Sequence, residues 1–421
     1  MWFKPVHAVI AACLLIASAP IFGADETRIS LSDAVGRARD LRPELDGFVF
    51  ELRVQDATAA EAALRPAPTV ELQLEDALGS GSRSGFDTAQ TTLSLSQLIE
   101  LGGKRDSRIE VANAQSERLR SEQAARQLDV VAEIGRAFVE ALTQQARETS
   151  AEDAVQLAQR VSAAVAERVQ AAVAPPADRS RAAVAVIEAE LTLEDARHVA
   201  ATSRFVLAST IGLDRPDFTQ LSGELFALEG LPDFGVLMAR LEAAPDFLRF
   251  TSEARLKQAQ LNLAESRRRG DLRASLGMRH FQQGDDAALV AGISLPLFSN
   301  ARAQPAIASA NAELALVDQQ RRAALLKARA QLFAYYQEME HARHVVTTLD
   351  AQLIPELERA LAQTEDAWRR GRYSFLEWSE VQKRLLDARL RRIDAAAEYH
   401  LNRIEIERLT GQSPVEAGET P

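Results

Sequence analysis

His341 and His344 lie three residues apart on a stretch that reads as helix, so they share a face, and Glu338 and Glu340 stand beside them. Imidazole and carboxylate suit divalent transition metals. A closed site, however, needs further ligands from another element, and two side chains on one turn do not supply them. The plainer expectation is a pair of solvated surface histidines, with no metal and no cofactor. The remaining histidines, His7, His198, His280 and His400, are scattered, and the one cysteine, Cys13, excludes a disulfide framework, a Cys-rich zinc site and an iron–sulfur cluster. No Gly-rich phosphate loop, nucleophile with its base, or zinc-protease motif occurs, so no enzyme activity is expected.

A second group is acidic. Asp178 follows a helix break at Ala172 to Pro176, and Glu377 and Glu380 follow another at Gly371. Glu377 and Glu380 are three apart and so share one helix face. Carboxylates gathered about an axis would attract cations and raise one another's pKa. An acidic start to a helix is also favourable by itself, through the helix dipole. Which reading applies depends on the elements that carry these residues.

Composition points to long helices. Apolar residues make up 47% of the 421, charged residues 26% and aromatics only 5%, and the chain is rich in Ala, Leu, Arg, Glu and Gln. The formal net charge of −11 argues against a nucleic-acid partner, which needs a basic face. Residues 1–24 carry Lys4, an apolar run from Ala8 to Ile16, then small residues up to Ala24, which is the order of a secretory signal. The run is short for a membrane span, which needs ~20 residues. An exported chain is therefore expected, cleaved after Gly23 or Ala24, without a transmembrane helix.

The chain reads as written twice. Leu41-Arg42-Pro43-Glu44-Leu45 recurs as Ala243-Ala244-Pro245-Asp246-Phe247, Leu93-Ser94-Leu95 as Ile293-Ser294-Leu295, and Ala112-Asn113-Ala114 as Ala310-Asn311-Ala312. A first repeat over 25–215 is expected to hold a short helix capped by Ser32, a helix opened by Pro43, strands at about 69–75 and 91–98, a long helix over 104–172 and a return helix. A second repeat over 216–411 holds strands at about 272–281 and 288–298, a long helix over 303–370 kinked at Pro355, and a last helix ended by Gly411. Residues 412–421 read as a disordered tail. Leu128, Val131, Gly135, Phe138 and Leu142 in one long helix, and Leu325 through Leu353 in the other, keep the 3-4 spacing of a coiled-coil seam.

The strands alternate. Val70, Leu72, Leu74, Leu93, Leu95, Leu289, Ala291, Ile293 and Leu295 fall on one side, and Glu71, Gln73, Glu75, Ser94, Arg273, Arg279 and Ser294 on the other. Two such hairpins expose unpaired edges, and helices of ~100 Å need neighbours along their length. Both demands are met if several chains close a barrel with lipid outside and water inside. The fold class expected is thus mainly α with a small β part. A soluble sandwich would alternate in the same way, but four strands in so long a chain do not suit one.

These residues resemble the TolC-like outer-membrane efflux channel family. The run Leu93-Ser94-Leu95-Ser96-Gln97-Leu98-Ile99-Glu100-Leu101-Gly102-Gly103-Lys104-Arg105 is similar to the strand-to-helix corner of its cobalt–zinc–cadmium (CzcC-like) branch. Gly371-Arg372-Tyr373-Ser374-Phe375-Leu376-Glu377 resembles that branch's second helix tip, with Gly371, Tyr373, Ser374 and Leu376 as its marks. The resemblance spans about residues 30–411. It implies a homotrimer with a twelve-stranded barrel in the outer membrane and a helical tunnel in the periplasm. The partners it implies are a periplasmic adaptor and an inner-membrane pump of the resistance–nodulation–division type. It also implies that Glu377 and Glu380 match the family's acidic periplasmic aperture, with heavy-metal cations as the cargo of this branch. The first tip departs from the family, with Ala172 where Gly is usual and Pro175-Pro176 after it. Drugs, solvents or a secreted polypeptide remain as other cargoes, and a soluble periplasmic coiled-coil scaffold as a reading of another class. Trp368 and Trp378 beside the second tip read as packing anchors.

Overall fold

The computed structural model describes residues 28–230 and 232–412. The signal-like segment and all but the first residue of the tail lie outside the described residues. In chain order the elements are β1 (Arg28–Ile29), α1 (Leu31–Leu41), α2 (Pro43–Ala62), β2 (Thr69–Glu75), β3 (Gln90–Ile99), α3 (Lys104–Gln170), α4 (Pro176–Ile211) and β4 (Gln220–Leu221). There follow α5 (Phe234–Ala243), α6 (Pro245–Ser266), β5 (Leu272–Phe281), β6 (Asp286–Ser294), α7 (Ser299–Thr348), a π-turn (Leu349–Leu353), α8 (Ile354–Arg369) and α9 (Phe375–Thr410). Among the described residues no helix is long and apolar enough to cross a membrane.

Local chemistry sets the helix ends. Ser30, not Ser32, caps α1: its Oγ accepts the Asp33 N–H at 3.1 Å, and the Asp33 carboxylate accepts the Ser30 N–H at 3.1 Å. Asp33 thus completes a box that Ser32 cannot form one residue from the helix start. Pro43 and Pro245 open α2 and α6 at the first helical position, where a missing N–H costs nothing. The 67 residues of α3 span ~100 Å at 1.5 Å each. Gly135, Phe138 and Leu142 of its seam are buried, and a Cβ at Gly135 would lie 3.1 Å from Ile404 Cδ1 of α9. There the missing side chain lets two helices approach.

The second long helix differs from the sequence reading in three ways. It starts at Ser299, so Pro305 falls beyond its first turn. It does not run through to 370 but is interrupted by the π-turn, and Pro355 then sits in the first turn of α8, where its lost N–H is tolerated. The wide turn also shifts the phase of the seam: Leu349 is 3% exposed and Leu353 is 42% exposed. The expected 3-4 pattern therefore stops at Leu349.

One four-stranded antiparallel sheet runs in the order β2-β3-β5-β6. Strand β6 ends at Ser294 rather than 298, just ahead of Pro296, which has no N–H to give a ladder. Leu295 therefore lies past the strand. At the β3–α3 corner Gly102 and Gly103 take φ of +80° and +75°, and a Cβ on Gly102 would meet the Ser266 carbonyl at 2.7 Å. Asp271 binds the same corner, accepting from the Leu101 N–H at 3.2 Å and from Lys104 Nζ at 2.5 Å. Arg108 pairs with Glu100, and Arg105 Nε donates to the Ala63 carbonyl at 2.7 Å. The Glu100-to-Arg105 motif is thus a joint that fixes the sheet on the helices.

Between α4 and α5 the chain wraps the middle of the helices as a belt. Its strand β4 pairs in parallel with β1, and Gln145 of α3 bonds both polar groups of Leu221, at 2.9 and 3.1 Å. From α9, Tyr399 donates to the Glu229 carbonyl at 2.6 Å and His400 Nε2 to the Leu225 carbonyl at 2.9 Å. Burial lowers the His400 pKa, so it serves as a neutral donor. Arg392 stacks 3.7 Å from the Phe226 ring centroid and pairs with Asp350 of the π-turn at 2.7 Å.

Candidate functional site

The sheet separates its two faces by chemistry. In register, Val70 pairs with Leu95, Leu72 with Leu93, Leu93 with Met278, Leu276 with Ala291, and Ala274 with Ile293. The residues assigned to the apolar face fall together, and those in strands present their side chains outward: Leu72 is 70% and Ile293 79% exposed. Leu276 and Met278 complete this face from β5, and both are exposed. The sequence does not mark this side of β5 as apolar, because the small Ala274 and the polar His280 share it with Leu276 and Met278.

The opposite face is polar and partly covered. Thr92 is 5% exposed, and Ser96, also buried, shares a hydrogen bond of 2.7 Å with Thr69. Arg279 spans three strands, with Nε 2.9 Å from Thr92 Oγ1, Nη1 3.1 Å from Gln90 Oε1 and Nη2 2.9 Å from Glu75. Burying polar groups while exposing leucines inverts the arrangement of a water-soluble sheet. Its physical sense is an apolar medium on one side and water on the other.

The helix tips sit at the opposite end of the long helices. At the second tip Gly371 takes φ +73°, its N–H bonds the Trp368 carbonyl at 2.9 Å, and the Arg372 N–H bonds the Ala367 carbonyl at 2.9 Å. At the first tip Ala172 takes φ +59°, its N–H bonds the Val169 carbonyl at 3.0 Å, and the Val173 N–H bonds the Arg168 carbonyl at 2.9 Å. The two tips thus share one hydrogen-bond pattern, although Ala stands where Gly is usual. A left-handed Ala costs about 1–2 kcal/mol. Ala172→Gly is expected to stabilise the first tip by about 0.5–1 kcal/mol after Gly's extra chain entropy is subtracted. Slower hydrogen exchange at the 171–173 amides would show it, and faster exchange would contradict it.

The tips also hold each other. The Arg168 guanidinium lies 4.8 Å from the Trp368 ring centroid, and its Nη1 donates to the Arg369 carbonyl. Trp368 stacks on Trp378 at 4.6 Å, and Phe375 meets Trp378 edge-on at 6.3 Å, over Val161, Val165 and Ala182. Tyr373 and Leu376 remain exposed.

The three acidic residues differ in setting. Ser374 caps α9, its N–H donating to Glu377 Oε2 at 2.7 Å while its Oγ accepts from the Glu377 N–H at 3.3 Å. These bonds hold the Glu377 carboxyl below its ordinary pKa. Glu380 meets Arg384 Nε at 3.1 Å on the exposed surface. Asp178 is buried and pairs with Arg181 at 3.0 Å. Within one chain the three carboxylates are engaged separately. Glu380 also lines a groove of ≈ 940 Å³ between α4 and α9 over α3, together with Arg181, Ser379 and Lys383. His341 and His344 are both exposed on α7, and among the described residues no group of three or more His, Cys, Asp or Glu is placed to hold a metal ion.

Comparison with known proteins accords with this geometry. Residues 34–213 match the family model described as outer membrane efflux protein. The cobalt-zinc-cadmium resistance protein CzcC of Cupriavidus metallidurans is 25% identical over 412 residues, covering 98% of this chain and 97% of CzcC. The nickel-cobalt-cadmium resistance protein NccC of Alcaligenes xylosoxydans xylosoxydans is 25% identical over 77% of this chain and 74% of its own. The crystal structure of CusC, reported for its folding and transmembrane channel formation, superposes with a TM-score of 0.76 at 13% identity, over 91% of this chain and 92% of that one. The fold is that of the TolC-like channels.

Proposed function

From the match of residues 34–213 to the outer membrane efflux protein family model and the near full-length similarity to CzcC, we propose that the chain is one subunit of a passive outer-membrane duct, closed as a homotrimer and exporting heavy-metal cations. The observation that carries this is the inverted sheet, with its apolar face exposed and its outer strands β2 and β6 each paired on one side only. Three copies would join these edges into a twelve-stranded barrel and leave no strand unpaired. The helices make a matching demand. Val184, Ile187, Leu191 and Phe205 of α4 are exposed at helical spacing and call for a neighbouring chain.

The likeness of the two hairpin tips supports the duplication over 25–215 and 216–411. The duct itself performs no chemistry, and its energy would come from an inner-membrane pump reached through a periplasmic adaptor. The exposed tip residues Tyr373 and Leu376 suit such a contact. Heavy-metal cargo rests on CzcC and NccC, and the metal tolerance of a deletion strain against its drug tolerance separates the cargoes. Light scattering of the purified protein in detergent should give three chains. A monodisperse monomer, soluble without detergent, would overturn the channel in favour of a periplasmic scaffold.

A further inference from the structure

Where the sheet meets the helices, the charge of the chain reverses. Segments 63–66, 99–109, 264–273 and 296–303 hold nine Lys or Arg against four Asp or Glu, in a chain of net charge −11. The acids are largely used up. Glu100 pairs with Arg108, Asp271 with Lys104 and Glu265 with Arg268. Arg65, Arg267, Arg269 and Arg302 are all exposed and have no acidic partner among the described residues.

The arginines stand next to the end of the apolar face. Leu64, which precedes Arg65, is exposed, and so is Leu297. Phe298 is 78% exposed and held at φ +61° as the residue before α7, and Arg302 follows it by one helical turn. An exposed aromatic ring and long cationic side chains at the edge of an apolar band are what a lipid–water boundary favours. The ring and the methylene stems lie along the acyl region while the guanidinium groups reach the headgroups. Four unpaired cations so placed complement a negative headgroup and not a zwitterionic one.

We propose that this arginine collar binds the headgroups of anionic phospholipids in the membrane leaflet nearest the helices. It rests on the reading of the exposed sheet face as the lipid face. Guanidinium suits this role because its fork can hold a phosphate diester through two hydrogen bonds.

The test uses the trimer reconstituted in vesicles of equal phosphatidylglycerol and phosphatidylethanolamine, then released in mild detergent for native mass spectrometry. The wild type should retain about fivefold more phosphatidylglycerol than phosphatidylethanolamine. The variant carrying Arg267→Gln, Arg269→Gln and Arg302→Gln should bring the ratio near unity while remaining trimeric. Lys at the same three positions should restore most of the preference, because the charge is kept. A wild type that floats with the vesicles but shows no preference, or a Gln variant that keeps it, overturns the collar and leaves the barrel standing. A wild type that does not float overturns the lipid face and the collar together.

Discussion

Arg in place of Leu72, Leu95 or Ile293 is expected to abolish assembly of the membrane-inserted trimer. These side chains stand on the exposed apolar face, in neighbouring strands or at the free edge of β6. A charged side chain on a barrel's lipid face costs roughly 2–4 kcal/mol near the midplane, and threefold symmetry repeats that cost in every copy. The total rivals the whole stability of an ordinary domain, about 5–15 kcal/mol. The matched control is Gln73→Arg, one residue along β2 and on the other face, where water is expected. Ser94 is a tighter control position, because the backbone of β5 at Gly277 comes so close that a Cβ there would lie 2.7 Å from Ser94 Cβ. Trimer yield in membrane extracts measures the effect. Equal yields for Leu72→Arg and Gln73→Arg would mean that the faces are assigned the wrong way round.

Much of this architecture was legible in the sequence because it depends on period and punctuation. Alternation in Thr69–Glu75 and Gln90–Ile99 marked two strands, and the glycine pair at 102 and 103 marked their corner. The parts that escaped depend on contacts distant in the chain. Leu276 and Met278 join the apolar face only through pairing with Leu95 and Leu93. The belt over 213–230 has little period of its own and is held by Gln145, Arg392, Tyr399 and His400 from two helices. Proline at 355 was visible, but its consequence was not. A π-turn ahead of it absorbs the break, and with it the seam loses Leu353. The acidic group was legible as residues and not as settings, since only the fold shows that Asp178 is buried while Glu380 is exposed.

Arg181 also narrows what the lower aperture can be. The two tips share a hydrogen-bond pattern with Ala172 matched to Gly371, and the same offset matches Asp178 to Glu377 and Arg181 to Glu380. At these two positions the first repeat therefore places a carboxylate and a guanidinium where the second places two carboxylates, of which Glu380 also meets Arg384 from its own helix. We therefore expect the field at the proposed aperture to come from Glu377 and Glu380 of each of three chains, with Asp178 offset by Arg181. Glu377 has two tasks there. Its folded pKa lies below the unfolded value, so the cap it makes with Ser374 contributes fully above the ordinary Glu pKa and fades only as pH falls through the lowered one. Gln can make the same capping box without the charge. The double variant Glu377→Gln with Glu380→Gln is thus expected to keep the trimer and the tip while losing the ring's field. In planar bilayers the wild type should prefer cations, and divalent cations on the helix-tip side should block it. In the double variant the blocking concentration should rise about tenfold or more, because a charged constriction concentrates counter-ions by that order. Both effects should weaken at high salt, where the Debye length falls to about 3 Å at 1 M. A folded double variant with unchanged selectivity and block would refute the ring and leave Glu377 as a helix cap alone.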